Sequence, residues 1–237
     1  MFAARVSSWL LVIFSALALI VRAAPLETNA QRFARGLPPL APAYLRRTSG
    51  TESAEQGHPS AKPPVTYTGR LEVRLADGHV LGSVRNWEGA SSISGVAFGG
   101  SDEELSVSFS TSGGNKPFDI LATNPKFPAP YYVGAYGNSA LAKGSYATIG
   151  FNNVGQTPAG SKPVKVNDAY YESAIWTFNP KTKGLTPHFV NPDGSKPKTQ
   201  LVYDARANAL FFVGDVEAYN KQFYYYPVSA VSLYLAN

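Results

Sequence analysis

The stretch LEVRLADGHVLGSV, residues 71–84, predicts a β-hairpin. Its Asp-Gly pair at positions 77 and 78 is a strong signal for a two-residue turn. Apolar residues recur at every second position on both sides of this pair, which is the spacing of a half-buried strand. If the turn closes at positions 77 and 78, one face carries only apolar or glycine pairs: Leu75/Val80, Val73/Gly82 and Leu71/Val84. The opposite face carries Arg74/Leu81 and Glu72/Ser83, so the turn and the polarity of the two faces agree.

The same two-residue period recurs along the rest of the chain. In residues 105–110 (LSVSFS) apolar side chains alternate with serines. Further predicted strands, separated by turns rich in Gly, Pro, Asn and Asp, are 118–122, 131–135, 146–151, 174–178, 185–190, 200–203, 210–213 and 228–235. One segment, 215–223, is typical of a helix with Asp215 as its N-cap. Roughly a dozen short strands predict a single antiparallel β-sandwich or barrel. A β-trefoil is the alternative, ranked lower because no repeated motif aligns across three sets of strands.

The N-terminus is typical of a secretory signal peptide. Arg5 supplies a positive charge, and residues 9–21 (WLLVIFSALALIV) form an apolar run of 13 residues. That run is short of the roughly 20 residues that span a bilayer. Val21 and Ala23 occupy the two positions that a signal peptidase inspects, so we expect removal of residues 1–23 and secretion of the remainder. No second apolar stretch of this length follows, so no membrane span is expected after cleavage.

Residues 24–64 are predicted to be a disordered leader in front of an all-β domain over residues 65–237. The leader is rich in Ala, Pro, Arg, Ser and Gly and has no sustained strand or helix period. Arg46-Arg47 precedes Thr48-Ser-Gly, as a dibasic processing protease requires. Residues 24–47 are therefore interpreted as a possible propeptide, although an uncut linker explains the same pair equally well.

The formal net charge of +5 belongs to the N-terminal part of the chain. Six of the 21 basic residues and one of the 16 acidic residues precede Thr48, which leaves 15 of each sign in residues 48–237. The Lys and Arg residues of that part are scattered singly, without the basic stripe that phosphate-backbone binding needs. Nucleic acid is therefore not an expected partner. The chain has no cysteine, so no disulfide supports the fold.

The histidines and nucleophile motifs predict no metal site, no cofactor and no familiar hydrolase. His58, His79 and His188 are in none of the paired spacings that bind zinc. No Gly-x-Ser-x-Gly elbow and no phosphate-binding loop occurs, and Ser145 is the nearest approach to an elbow.

A glycoside hydrolase needs a pair of carboxyl groups at its active site. The candidates are Asp102-Glu103-Glu104, Asp168 with Glu172, Asp193, Asp204, and Asp215 with Glu217. Several have a structural explanation: the acidic triplet guards a strand edge, Asp193 belongs to a turn and Asp215 caps the helix. No catalytic residue is assigned, and an enzyme with an unrecognised carboxylate site stays as an alternative.

Aromatic residues are unusually frequent in this sequence, which has 14 Tyr, 13 Phe and three Trp. Exposed tyrosines can stack on sugar rings or anchor a protein partner. We therefore expect a non-catalytic binding module for extracellular glycan or cell wall, with an extracellular structural or interaction protein as the alternative. The candidate binding residues are Tyr131, Tyr132, Tyr136, Tyr224, Tyr225 and Tyr226. Because alternate residues of a strand face inward, about half of each cluster is expected in the core, together with Trp176.

Six stretches resemble a family of small secreted fungal proteins with no assigned activity. They are residues 28–39 (TNAQRFARGLPP), 120–124 (ILATN), 157–161 (TPAGS), 172–178 (ESAIWTF), 190–195 (VNPDGS) and 212–215 (FVGD). The likeness runs over most of the chain. It implies secretion and a single domain, and it transfers no site residues.

Overall fold

The computed structural model describes residues 35, 63–89 and 92–237. Within them lie fourteen strands, one short α-helix and a 3₁₀ turn at Ser101–Glu103. The strands are β1 Val65–Leu75, β2 Val80–Val84, β3 Val96–Ala97, β4 Ser106–Thr111, β5 Ile120–Ala122, β6 Tyr132–Gly137, β7 Thr148–Val154, β8 Val164–Val166, β9 Ala169–Glu172, β10 Trp176–Phe178, β11 Gly184–Pro187, β12 Gln200–Asp204, β13 Ala209–Val213 and β14 Ser229–Ala236, and the helix is α1 Val216–Gln222. The prediction of an all-β domain is confirmed.

Eight of the strands close into an antiparallel barrel, in the order β1-β14-β12-β13-β7-β6-β5-β4 and back to β1. The closing contact pairs residues 70–75 of β1 with 231–236 of β14. Closure leaves the ring without a free edge, which removes the usual site of unwanted strand pairing. Of the architectures predicted, the barrel is therefore the one observed. The remaining strands extend it: β2 and β3 beside β1, β8 and β9 beside β6, and β10 and β11 beside β14.

The predicted hairpin forms, with a longer turn at its tip. Val73 pairs with Gly82 and Glu72 with Ser83, as expected. The register then shifts, so that Arg74 pairs with Val80 and Val80 is 57% exposed. The predicted Leu75/Val80 pair is therefore wrong. The Gly78 N–H donates to Leu75 O at 3.0 Å and Gly78 has φ +89°, the geometry of a three-residue loop that ends on a left-handed glycine.

The barrel interior is filled by aromatic and branched side chains that alternate with outward-facing residues. Trp176 is fully buried, as predicted, and lies 6.2 Å from Phe151 and 6.1 Å from Phe212 between ring centroids. Its Nε1–H donates to Val133 O at 2.8 Å, so the polar atom of the indole has a partner. Side chains on the inner faces of the strands therefore belong to the core. A binding site on the barrel must be formed by side chains on the outer faces.

Helix α1 packs on the outside of the barrel, over β12 and β13. Asp215 is its N-cap, as predicted, and its carboxylate accepts hydrogen bonds from the N–H groups of Glu217 and Ala218. The outward side chains of Val202 and Val213 are buried in a small cluster that includes Tyr219 of the helix. Among the residues that the structure describes, no helix is long and apolar enough to cross a membrane.

Candidate functional site

The outer face of the barrel carries a groove of about 790 Å³ beside β6, β7 and β9. We call it the tyrosine groove. It is lined by Gly89, Ser92, Phe127, Pro128, Ala129, Pro130, Tyr136, Asn152, Asn153, Val154, Gly155, Val166 and Tyr171. Its volume is in the range of ordinary small-ligand sites.

Two tyrosines meet in this groove because their strands are neighbours. Tyr136 of β6 and Tyr171 of β9 are directly opposite each other in the antiparallel ladder. Opposite residues point to the same face with their Cβ atoms about 5 Å apart. Val133 and Ala135 of β6 face the barrel interior and are fully buried, so Tyr136 faces outward and is 42% exposed. The pairing therefore places both tyrosine side chains on the same surface.

Close approach of the backbone shapes the floor of the groove. A Cβ added at Gly155 would lie 3.0 Å from the Tyr171 hydroxyl oxygen and 3.1 Å from its ring. The missing side chain thus makes room for the Tyr171 ring against β7. Phe127 is buried beneath the Pro128–Pro130 segment, and its ring centroid lies 6.2 Å from that of Tyr131.

Asparagines of β7 supply the polar part of the groove. Asn153 Nδ2 donates to Pro130 O at 3.0 Å, which ties β7 to the proline segment. Asn152 Oδ1 accepts from the Asn153 N–H at 2.9 Å. The lining residues named above include no Asp, Glu, Lys, Arg or His. The groove therefore offers aromatic faces and amide groups to a ligand, and no ionised side chain.

The other predicted tyrosines of the first cluster lie beside the groove. Tyr131 is 39% exposed and precedes β6, and Tyr132 is half-buried on the outer face of that strand. Neither lines the groove. Tyr171, Asn152 and Asn153 were missed as candidates, because only strand pairing brings them to Tyr136.

The second predicted cluster is separate from the groove. Tyr224, Tyr225 and Tyr226, which we call the tyrosine ridge, follow α1 and are 65%, 74% and 50% exposed. None of them lines the tyrosine groove. None of the six candidate tyrosines is buried, so the expectation that about half of each cluster lies in the core is wrong. In the ridge the reason is that these residues lie in a turn and not in a strand. Strand alternation does not apply to them.

The carboxylates that sequence inspection singled out are dispersed. Asp193 accepts from the Ser195 N–H and hydroxyl within its own turn, and Asp168 is exposed. Glu172 of β9 is fully buried, because it alternates with Tyr171 and pairs with the buried Ala135. Its Oε2 accepts from the Val190 N–H at 2.8 Å, and its Oε1 has no hydrogen-bond partner among the described residues. Burial raises the pKa of Glu172 to about 7, although the Val190 hydrogen bond and the charge of Lys196 lower it.

The two histidines that the structure describes have ordinary partners. His79 Nδ1 is 3.0 Å from Asp77 Oδ2 in the exposed hairpin turn. His188 Nε2 is 3.0 Å from Thr177 Oγ1, and burial lowers the pKa of His188. Within residues 63–89 and 92–237, no group of three His, Asp or Glu side chains is placed to hold a metal ion. His58, the cleavage residue Ala23 and the dibasic pair Arg46-Arg47 lie outside the described residues.

Comparisons with known proteins give one short likeness. No family model and no solved structure matches the chain. The chain is 63% identical over 38 residues to the class I hydrophobin 16 of Pleurotus ostreatus (strain PC15). This stretch is 16% of the chain, and it spans about a quarter of the length of that relative, 26%. So short a likeness shows no family.

Proposed function

We propose that the protein is a non-catalytic extracellular binding module, and that the tyrosine groove binds an uncharged glycan chain. One observation carries the proposal: Tyr136 and Tyr171 are cross-strand partners on the outer face, beside the amide side chain of Asn152. Aromatic faces pack against the C–H faces of a sugar ring, and amides hydrogen-bond to its hydroxyl groups. A neutral lining suits a neutral polysaccharide.

A binding role is favoured over hydrolysis by the composition of the groove. A glycoside hydrolase places two carboxyl groups on either side of the bond that it cleaves. The lining residues include no carboxylate, and the buried Glu172 has its side chain on the opposite face of β9 from Tyr171. Binding needs only the rings and amides that are present.

Export is part of this proposal and is supported by residues 1–23. A positive N-terminus, a short apolar run and a small residue at position 23 together have the form of a cleaved secretory signal. Mass spectrometry of protein collected from the medium of an expressing eukaryotic culture tests it. A mature chain beginning at Ala24 or at Thr48 supports export, and a chain retained in the cells with Met1 intact contradicts it.

Retention on insoluble polysaccharide tests the groove. The purified chain is incubated with chitin, β-glucan and mannan, and the bound fraction is compared with that of the double variant Y136A/Y171A. Loss of two aromatic contacts at the centre of a site is expected to cost about 2 kcal/mol, or about thirtyfold in affinity. The matched control is Y224A/Y225A, which removes two rings of the ridge. Equal retention of the groove variant and its parent, or no retention of the parent on any of the three polymers, contradicts the proposal.

A further inference from the structure

The tyrosine ridge follows α1 in the chain. It is the most exposed group of aromatic side chains among the described residues. Tyr225 and Tyr224 are the two most exposed tyrosines that the structure describes, at 74% and 65%. Their ring centroids are 3.9 Å apart, and a hydrogen bond with the Tyr225 side chain raises the pKa of Tyr224. Tyr226 follows at 50% exposure, with its ring 6.4 Å from that of Tyr225. Three neighbouring phenol side chains thus face solvent.

The turn that carries the ridge is fixed to the barrel. The Asn220 side chain bonds Val228 in both directions, as donor to its carbonyl at 3.1 Å and as acceptor from its N–H at 2.8 Å. Tyr226 N–H donates to Phe223 O at 2.8 Å, and Phe223 packs on Tyr219 at 4.7 Å between ring centroids. These contacts hold the turn in one conformation, so the exposure of the three rings is not a consequence of a loose segment.

An arginine holds the last ring of the ridge. The guanidinium carbon of Arg206 lies 3.6 Å from the ring centroid of Tyr226, and Arg206 also contacts the Asp204 carboxylate at 3.4 Å. A cation over one ring face leaves the hydroxyl and the other face of Tyr226 outward. Exposed aromatic clusters of this kind mark contacts with other molecules, since they are otherwise buried.

We infer that the tyrosine ridge is a site of oxidative cross-linking, at which two copies of this chain are joined covalently through their tyrosines. The oxidant is hydrogen peroxide, used by a haem peroxidase. The inference requires no ligand in the tyrosine groove, and purified protein tests it without reference to export.

One ridge tyrosine on each of two chains loses an electron and its hydroxyl proton. The peroxidase transfers these two electrons and two protons to one hydrogen peroxide, whose O–O bond breaks to give two waters. The two phenoxyl radicals form a carbon–carbon bond between ring positions ortho to the oxygens. Each of these ortho carbons then loses its proton while each phenol oxygen gains one, which restores both aromatic rings. The product lacks two hydrogen atoms relative to two separate chains.

The experiment treats the purified chain with a haem peroxidase and hydrogen peroxide, and measures covalent dimer on denaturing gels together with dityrosine fluorescence. We expect dimer from the parent and loss of dimer from the triple variant Y224F/Y225F/Y226F, which keeps the rings and removes the hydroxyls. The matched control Y131F/Y146F removes two other exposed hydroxyls outside the tyrosine groove and should dimerise as the parent does.

Three results would overturn the inference. They are no dimer from the parent, dimerisation of the ridge variant at the parent's rate, and a cross-link mapped by mass spectrometry to tyrosines outside residues 224–226. Circular dichroism of each variant confirms that it is folded. Polysaccharide retention of the ridge variant separates the two proposals, because a failure of cross-linking leaves that retention unchanged.

Discussion

Glu172→Gln is expected to remove a loss of stability that the parent protein undergoes as pH rises. The Glu172 carboxyl is fully buried and has one hydrogen bond, from the Val190 N–H. Burial raises its pKa from 4.5 to about 7, against the lowering effects of that bond and of Lys196. Glutamine keeps the shape and an oxygen for the Val190 N–H, and it carries no charge at any pH.

The direction follows from the two pKa values. Below pH 4.5 the carboxyl is protonated in both the folded and the unfolded chain, and it does not affect stability. Between 4.5 and about 7 the unfolded chain releases the proton while the folded chain keeps it, so rising pH favours unfolding. A difference of about 2.5 in pKa, at about 1.36 kcal/mol for each unit, amounts to about 3 kcal/mol. This loss is complete above pH 7 and absent from the glutamine variant.

Thermal unfolding of the parent and of Glu172→Gln, followed from about pH 4 to about pH 8, measures the effect. At about 2–4 °C for each kcal/mol, the Tm of the variant relative to the parent should rise by roughly 6–12 °C across this range. In the variant, the amide nitrogen occupies the position of Oε1, which has no hydrogen-bond partner among the described residues. This lowers the stability of the variant by an amount that does not change with pH. The quantity to compare is therefore the change of the Tm difference with pH. Glu103→Gln, at an exposed position, is the matched control. A Tm difference between Glu172→Gln and the parent that does not change with pH would refute the reasoning.

Two further substitutions test the fold around the sites. Asp215→Ala removes the N-cap of α1 and the carboxylate that accepts from the Gly144 N–H at 2.9 Å, and it should lower stability to urea by about 1 kcal/mol. Trp176→Phe leaves Val133 O without its hydrogen bond and opens a cavity in the barrel, and it should cost about 2 kcal/mol or more in the same measurement.

Each of these two predictions has its own control and a contrary result. Asp215→Asn keeps a capping oxygen and should retain most of the stability that Asp215→Ala loses, so equal loss in both would contradict the capping argument. Trp87→Phe changes an exposed tryptophan, and a comparable cost there would mean that the buried position of Trp176 is not responsible.

Many of the strands could be predicted, because the alternation of apolar and polar residues and the turn residues between strands are local features of the sequence. The pairs Val73/Gly82 and Glu72/Ser83 follow from the hairpin pattern alone. The shift beyond Val73 does not, since a bulge depends on how the turn closes. The closing pair of β1 and β14 joins residues more than 150 positions apart in the chain, and no local pattern identifies it. For the same reason the sequence left sandwich and barrel open.

The candidate site was predictable only in part. Tyr136 could be chosen as an exposed aromatic, but its partner Tyr171 is brought to it by a strand pairing between distant segments. Alternation within β9 does hold a signal: once Tyr171 faces outward, Glu172 must face the interior. Strand alternation predicts that about half of Tyr224–Tyr226 faces inward, and this prediction fails because these residues lie in a turn.

The position of β14 in the ring determines when the barrel can form. Until residues 229–236 are available, one edge of β1 is unpaired along residues 70–75, and one edge of β12 is unpaired at Val202 and Tyr203. Both edges would then be open to pairing with another molecule. The ring therefore closes only when residues 229–236 are in place, and contacts so far apart in the chain make for slow folding. During that interval the two open strand edges make the domain prone to aggregation.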